Sequence, residues 1–108
     1  MTASRVEVQI RADDPAFDGH FPGLPILPGV VLLAEVLGAI ERTTGQSLGA
    51  LTIRSAKFHA PVSPAPPAPT TLSIDLAFGA DVAFTVLHGE VRIASGSVRL
   101  GSDAAGAK

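Results

Sequence analysis

The 108-residue sequence contains no cysteine, tryptophan or tyrosine, one methionine and three histidines. Without cysteine there is no thiolate nucleophile, disulfide framework or zinc–thiolate site. Without tyrosine there is no phenolic acid. Charged residues make up 17% of the chain, the formal net charge is −2, and no basic run occurs. That balance lacks the electrostatic footprint of a protein that grips a phosphate backbone, so no nucleic-acid partner is expected. Long apolar runs are also missing. Residues 26–40 come nearest, but Pro28, Gly29 and Glu35 interrupt them, so no membrane span is expected. Met1–Gln9 does not read as a signal peptide, and a cytoplasmic location is the expectation. Chemistry is left to three histidines, ten carboxylates, hydroxyls and the backbone. The histidines show no metal-ligand spacing, and no metal or cofactor is expected.

The apolar content, 46%, suffices for one small core. A single domain is expected over residues 1–100, with a disordered tail over 101–108. Val6, Val8 and Ile10 alternate with polar neighbours, as a half-buried strand does. Residues 12–29 are punctuated by Pro and Gly yet carry Phe17, Phe21, Leu24, Ile26 and Leu27, which predicts a long packed loop with a function. A helix is predicted from Val30 to about Thr43, opened by Pro28-Gly29 and closed by Thr44-Gly45. Its first eleven residues carry one charge, Glu35, which predicts burial on most sides.

The rest reads as strands. Leu51/Ile53 and Ala56/Phe58/Ala60 form one, with a bulge at the change of parity. Five prolines between Pro61 and Pro69 make a stiff connection. Leu72–Phe78 and Val82–Val86 alternate, joined by Gly79-Ala80-Asp81. His88-Gly89 reads as a two-residue hairpin turn, and the final strand slips register near Gly96. The predicted class is α+β: one antiparallel sheet packed on one helix. One sheet leaves part of the helix uncovered, so a homodimer or higher homo-oligomer is expected.

The segment most informative about function is Gly19-His20-Phe21-Pro22-Gly23-Leu24-Pro25-Ile26-Leu27-Pro28-Gly29-Val30. It resembles the signature of the FabZ/FabA-type 3-hydroxyacyl-acyl carrier protein dehydratases: Gly-His-Phe-Pro, a proline three residues on, then Pro-Gly opening a helix. Phe58-His59-Ala60-Pro61-Val62-Ser63-Pro64 is similar to the family's strand after the helix, and His88-Gly89 falls where it has a turn. The strong likeness covers residues 17–33 and a weaker one most of the chain. It implies the hotdog fold, an antiparallel sheet wrapped around one central helix. It also implies elimination of water from a 3-hydroxyacyl group held on the phosphopantetheine of acyl carrier protein.

Such a reaction needs a base beside the carbonyl, a donor for the charge that builds on the thioester oxygen, and an acid for the leaving hydroxyl. Imidazole titrates near neutral pH, which makes His20 the candidate base. The resemblance implies that the Gly29 amide is the oxyanion donor, as a helix start favours negative charge. Phe21, Pro22, Leu24, Ile26, Val30 and Leu33 are the expected substrate-binding residues.

The third role departs from the pattern. The family places Glu or Asp fourteen residues after the histidine, and that position here is Ala34. Glu35 is the candidate acid, one step or about 100° further round the helix; Asp18 or a water are alternatives. The other readings are a degenerate subunit that binds acyl chains or pairs with an active paralogue, and an acyl thioesterase. A structural loop histidine at position 20, and a Glu35 turned to solvent, Arg42 or a partner chain, are the plainer alternatives. His59, opposite in parity to Phe58, is expected on the solvent face. Scattered cations at Arg42, Arg54, Lys57, Arg92 and Arg99 could meet an acidic carrier.

Overall fold

The computed structural model describes residues 2–17 and 26–101. Five strands and one α-helix follow in the order β1 (Thr2–Ile10), α1 (Gly29–Thr44), β2 (Leu51–Phe58), β3 (Thr70–Phe78), β4 (Val82–His88) and β5 (Val91–Leu100). A single 3-10 turn, Pro15–Phe17, precedes the helix. The sheet is antiparallel throughout and ordered β1-β3-β4-β5-β2. The first strand begins four residues before the alternating Val6–Ile10 set, because β3 offers partners as far as the Thr2↔Phe78 pair.

The period-2 alternation decides which face is dry. Leu72, Ile74 and Leu76 of β3 and Val82, Phe84 and Val86 of β4 are all buried, with Ser73, Asp75, Ala83 and Thr85 between them. Against this face lie Leu32, Val36, Ala39 and Ile40, spaced as one helical stripe. The helix ends as the sequence predicts. Gly45 takes the left-handed conformation (φ 73°), and its N–H donates to the Glu41 carbonyl at 2.8 Å.

As expected of one sheet, part of the helix is left uncovered within the chain. A second apolar stripe, Val30, Leu33, Ala34 and Leu37, is exposed or half-exposed. One sheet contacts one stripe, and this sheet packs on the helix through the strands at its β1 end. The inner residues of β2, Ile53 and Phe58, stay 40% and 51% exposed.

Two local predictions also shift. The β2 bulge lies where expected, with Arg54 left over between the Ile53↔Val98 and Ser55↔Ser97 pairs. The β5 slip, however, falls at Ile93, between the Leu87↔Arg92 and Val86↔Ala94 pairs, and so precedes Gly96. Gly96 has a different reason to be glycine: a Cβ there would sit 2.8 Å from the Ser55 carbonyl carbon and 2.9 Å from Cζ of Phe84. The hairpin turn is Gly89-Glu90, with Gly89 at φ 63°, and His88 is the last residue of β4. Of the expected tail, Gly101 donates to the Ala50 carbonyl at 2.8 Å; residues 102–108 lie outside the described residues.

Candidate functional site

The helix start is built from three segments. Pro28 is the N-cap, with ψ at 149°, and it has no side chain that could cap the helix. The first helical hydrogen bonds run from the Val31 and Leu32 N–H groups to the Pro28 carbonyl. The Gly29 and Val30 N–H groups find no backbone acceptor among the described residues. The segment before the helix is held by Leu27, whose side chain is buried and whose N–H donates to the Val62 carbonyl at 2.9 Å. Val62 is itself buried, so the stiff proline-rich connection anchors the helix start. The third segment is the end of β2. There the His59 N–H donates to the Ile93 carbonyl at 2.8 Å.

Together these segments enclose an open cavity of about 560 Å³, within the range of small-molecule sites. Gly29, Val30, Ile26, Leu33, Phe58 and Pro61 are among its walls. Ile26, Gly29, Val30 and Leu33 of the expected site are therefore brought together. His20, Phe21, Pro22, Leu24 and Asp18 lie outside the described residues. On either side of them, Phe17 and Leu27 are buried in the core.

Ala34 is exposed on the uncovered stripe, and Glu35 is half-buried on the next face round. Glu35 is not among the cavity walls and makes no ion pair among the described residues. Arg42 folds back over Gly38, its Nη1 3.5 Å from where a Cβ would stand.

Sequence reasoning assigned Phe58 to the strand but not to the site. A Cβ on Gly29 would stand 2.8 Å from Cζ of Phe58 and 3.0 Å from one of its Cε atoms, so the ring rests on the Gly29 backbone. An aromatic residue of inward parity at the end of an edge strand, just before a proline-rich connection, is the signal that could have found it. The neighbouring His59 is exposed, as its parity requires. Its Nε2 lies 2.9 Å from Oγ of Ser95, which pairs with Lys57 and Thr85. Of the scattered cations, Arg99 and Arg54 both flank Asp81, at 2.8 and 3.7 Å.

A family model described as ApeI-like, ApeI dehydratase, matches residues 1–97. The 3-hydroxyacyl-[acyl-carrier-protein] dehydratase FabZ of Rhizobium etli is 42% identical over 62 residues, 51% of this chain and 40% of that protein. FabZ of Brucella melitensis is 43% identical over 63 residues, with the same shares. The chain thus aligns with less than half the length of these curated relatives. Among solved structures, the dehydratase heterocomplex ApeI:P of Xenorhabdus doucetiae superposes with a TM-score of 0.73 at 22% identity, covering 91% of this chain and 86% of that one. A probable thioesterase of Bartonella henselae superposes with a TM-score of 0.58 at 18% identity, covering 89% and 85%. The fold is the hotdog fold, and fold alone does not separate elimination from hydrolysis.

Proposed function

The chain belongs to the ApeI-like dehydratase family, and from that premise we propose that it eliminates water from a 3-hydroxyacyl thioester to give the 2-enoyl thioester. The substrate is an acyl chain carried on the phosphopantetheine of an acyl carrier protein, and the protein works as a homodimer or larger homo-oligomer. The observation that carries this reading is the uncapped helix start opening into an apolar cavity, in a chain whose sequence carries Gly-His-Phe-Pro shortly before that helix.

His20 removes the proton from C2. The electron pair moves onto the carbonyl oxygen, where the Gly29 N–H meets the growing charge. The pair then returns to form the C2=C3 bond as the C3–O bond breaks, and the hydroxyl takes a proton and leaves as water. Ile26, Val30 and Leu33 flank the acyl chain. Glu35 is the candidate donor of the last proton. A second copy of the chain would cover Val30, which is 72% exposed, and the inner side of β2.

Ala34 favours a second reading, in which this chain is a degenerate subunit that binds acyl chains or pairs with an active paralogue. The structural relative ApeI:P of Xenorhabdus doucetiae, a dehydratase heterocomplex, supports it.

Turnover of 3-hydroxyacyl carrier-protein substrates by the purified chain separates the two. The first reading expects 2-enoyl product, a loss of roughly 10²–10⁴-fold in His20→Ala, and a comparable loss in Glu35→Gln. The second expects no product from the wild type and a gain in Ala34→Glu. Release of free thiol without enoyl product would instead mean hydrolysis.

A further inference from the structure

We propose that Phe58 sets the specificity of the site by excluding acyl groups that carry a substituent on C2. The inference rests on the reading of Gly29 as the group that receives the thioester carbonyl, and adds which acyl groups the site accepts.

Gly29 sits in the first helical turn and has an ordinary negative φ, so its backbone conformation does not require glycine. The structure supplies another reason. Three atoms of the Phe58 ring lie within 2.8–3.3 Å of the place a Cβ would occupy. The gap between ring and helix therefore does not admit a single methyl group. The ring is half-exposed and forms a wall of the same cavity that Gly29 opens into. It is held there by its strand: Phe58 pairs with Ala94, and the next residue is tied by its N–H to Ile93.

An acyl group whose carbonyl oxygen accepts from the Gly29 N–H enters the cavity that this ring walls, and we place its C2, one bond from the carbonyl carbon, against the ring. A planar, unbranched C1–C2–C3 unit fits along an aromatic face. A methyl on C2 so placed would have to push the ring off Gly29 or draw the carbonyl off its donor. Apolar pockets discriminate one methyl by roughly 10–200-fold, which is the selectivity expected here.

The test uses ligands that report binding without turnover: hexanoyl-pantetheine and 2-methylhexanoyl-pantetheine with the thioester sulfur replaced by NH, which keeps the carbonyl acceptor. Wild type is expected to bind the unbranched ligand at least about tenfold more tightly; Phe58→Ala should bring the two within about twofold, with Phe58→Leu between. Size-exclusion chromatography of each variant accompanies the titrations. Equal affinities in the wild type, an unchanged ratio in both variants, no binding of either ligand, or a ratio that changes only when the oligomer dissociates would each overturn the proposal. Because these ligands cannot be dehydrated, absence of enoyl product in the turnover assay sinks the catalytic reading without touching this result.

Discussion

Two regions of the sheet are finished to different degrees. At the β3–β4 centre, every inward residue from Leu72 to Leu76 and from Val82 to Val86 is buried by the chain's own helix and neighbouring strands. At the β2 edge most residues on both faces remain exposed, and Ile53 and Phe58 show large apolar surfaces on the side where the helix begins. The same sheet thus has one region whose sequence is answered within the chain and another whose sequence is not. The cavity belongs to the second. Binding sites come from surface that folding leaves unsatisfied, and the helix start shows this twice, in uncapped N–H groups and in uncovered side chains.

Two phenylalanines, one in each region, offer the strongest way to break this contrast. Phe84 is 2% exposed. Phe84→Ala should cost about 3–5 kcal/mol in urea unfolding, a large share of the stability of a domain this size. Phe58 is half-exposed in the single chain, and at concentrations low enough to keep the protein monomeric Phe58→Ala should cost only about 1 kcal/mol, since little more than one of its faces leaves water. Comparable losses in the two variants would mean that the β2 edge is as complete as the centre.

This division also explains what could be read without coordinates. The strands that bury one face by themselves announce it through alternation, so β3 and β4 are legible; the β2 bulge is legible from its change of parity alone. The helix is legible in its bounds, and its almost uncharged Val30–Ile40 run predicts more burial than one sheet supplies: Val30 and Ala34 are exposed in the single chain. Periodicity records that a stripe is apolar, not which chain covers it. The site was legible in part for the same reason. Gly29, Ile26, Val30 and Leu33 are close in sequence and share one helix start, so a motif contains them. Phe58 reaches Gly29 from across the fold, a contact that no local spacing encodes. The slip in β5 was misplaced because Gly96 stood out, whereas the extra residue is Ile93, an ordinary strand former.

Gly96 marks the seam between the two regions and gives a second, smaller test. Its missing side chain lets the β2 backbone at Ser55 close onto β5 while Phe84 of the centre packs underneath. Gly96→Ala puts a methyl against a carbonyl that the ladder holds in place, so about 1–3 kcal/mol of destabilisation is expected. Hydrogen exchange locates the damage. Amides of β2 and the facing side of β5 should exchange faster, while those paired between β1 and β3 keep their protection. A uniform loss of protection across all five strands would show that the seam does not divide the sheet.

The smallest effect is expected on the outer face of the finished region. Arg5 and Asp75 stand directly opposite in the β1–β3 register, and the guanidinium donates twice, through Nε at 2.6 Å and Nη2 at 2.9 Å. These bonds hold the Asp75 carboxyl below its usual range and the Arg5 guanidinium above its own. A carboxylate that is more acidic in the folded than in the unfolded chain adds stability only while it is ionised in both. That contribution is therefore fully present above the ordinary carboxylate value of about 3.9 and fades as pH falls through the lower folded value. Urea midpoints of wild type and Asp75→Asn should differ slightly at neutral pH and converge as pH falls below the ordinary carboxylate range, the wild type moving toward the variant. Both side chains are more than a third exposed, so water screens the pair and the gap should stay well below that of the Phe84 and Gly96 substitutions. A gap that widened on acidification would mean that Asp75 gains its partner in the unfolded chain instead. The outer face of the finished region would then owe its stability to the apolar side of β3 alone.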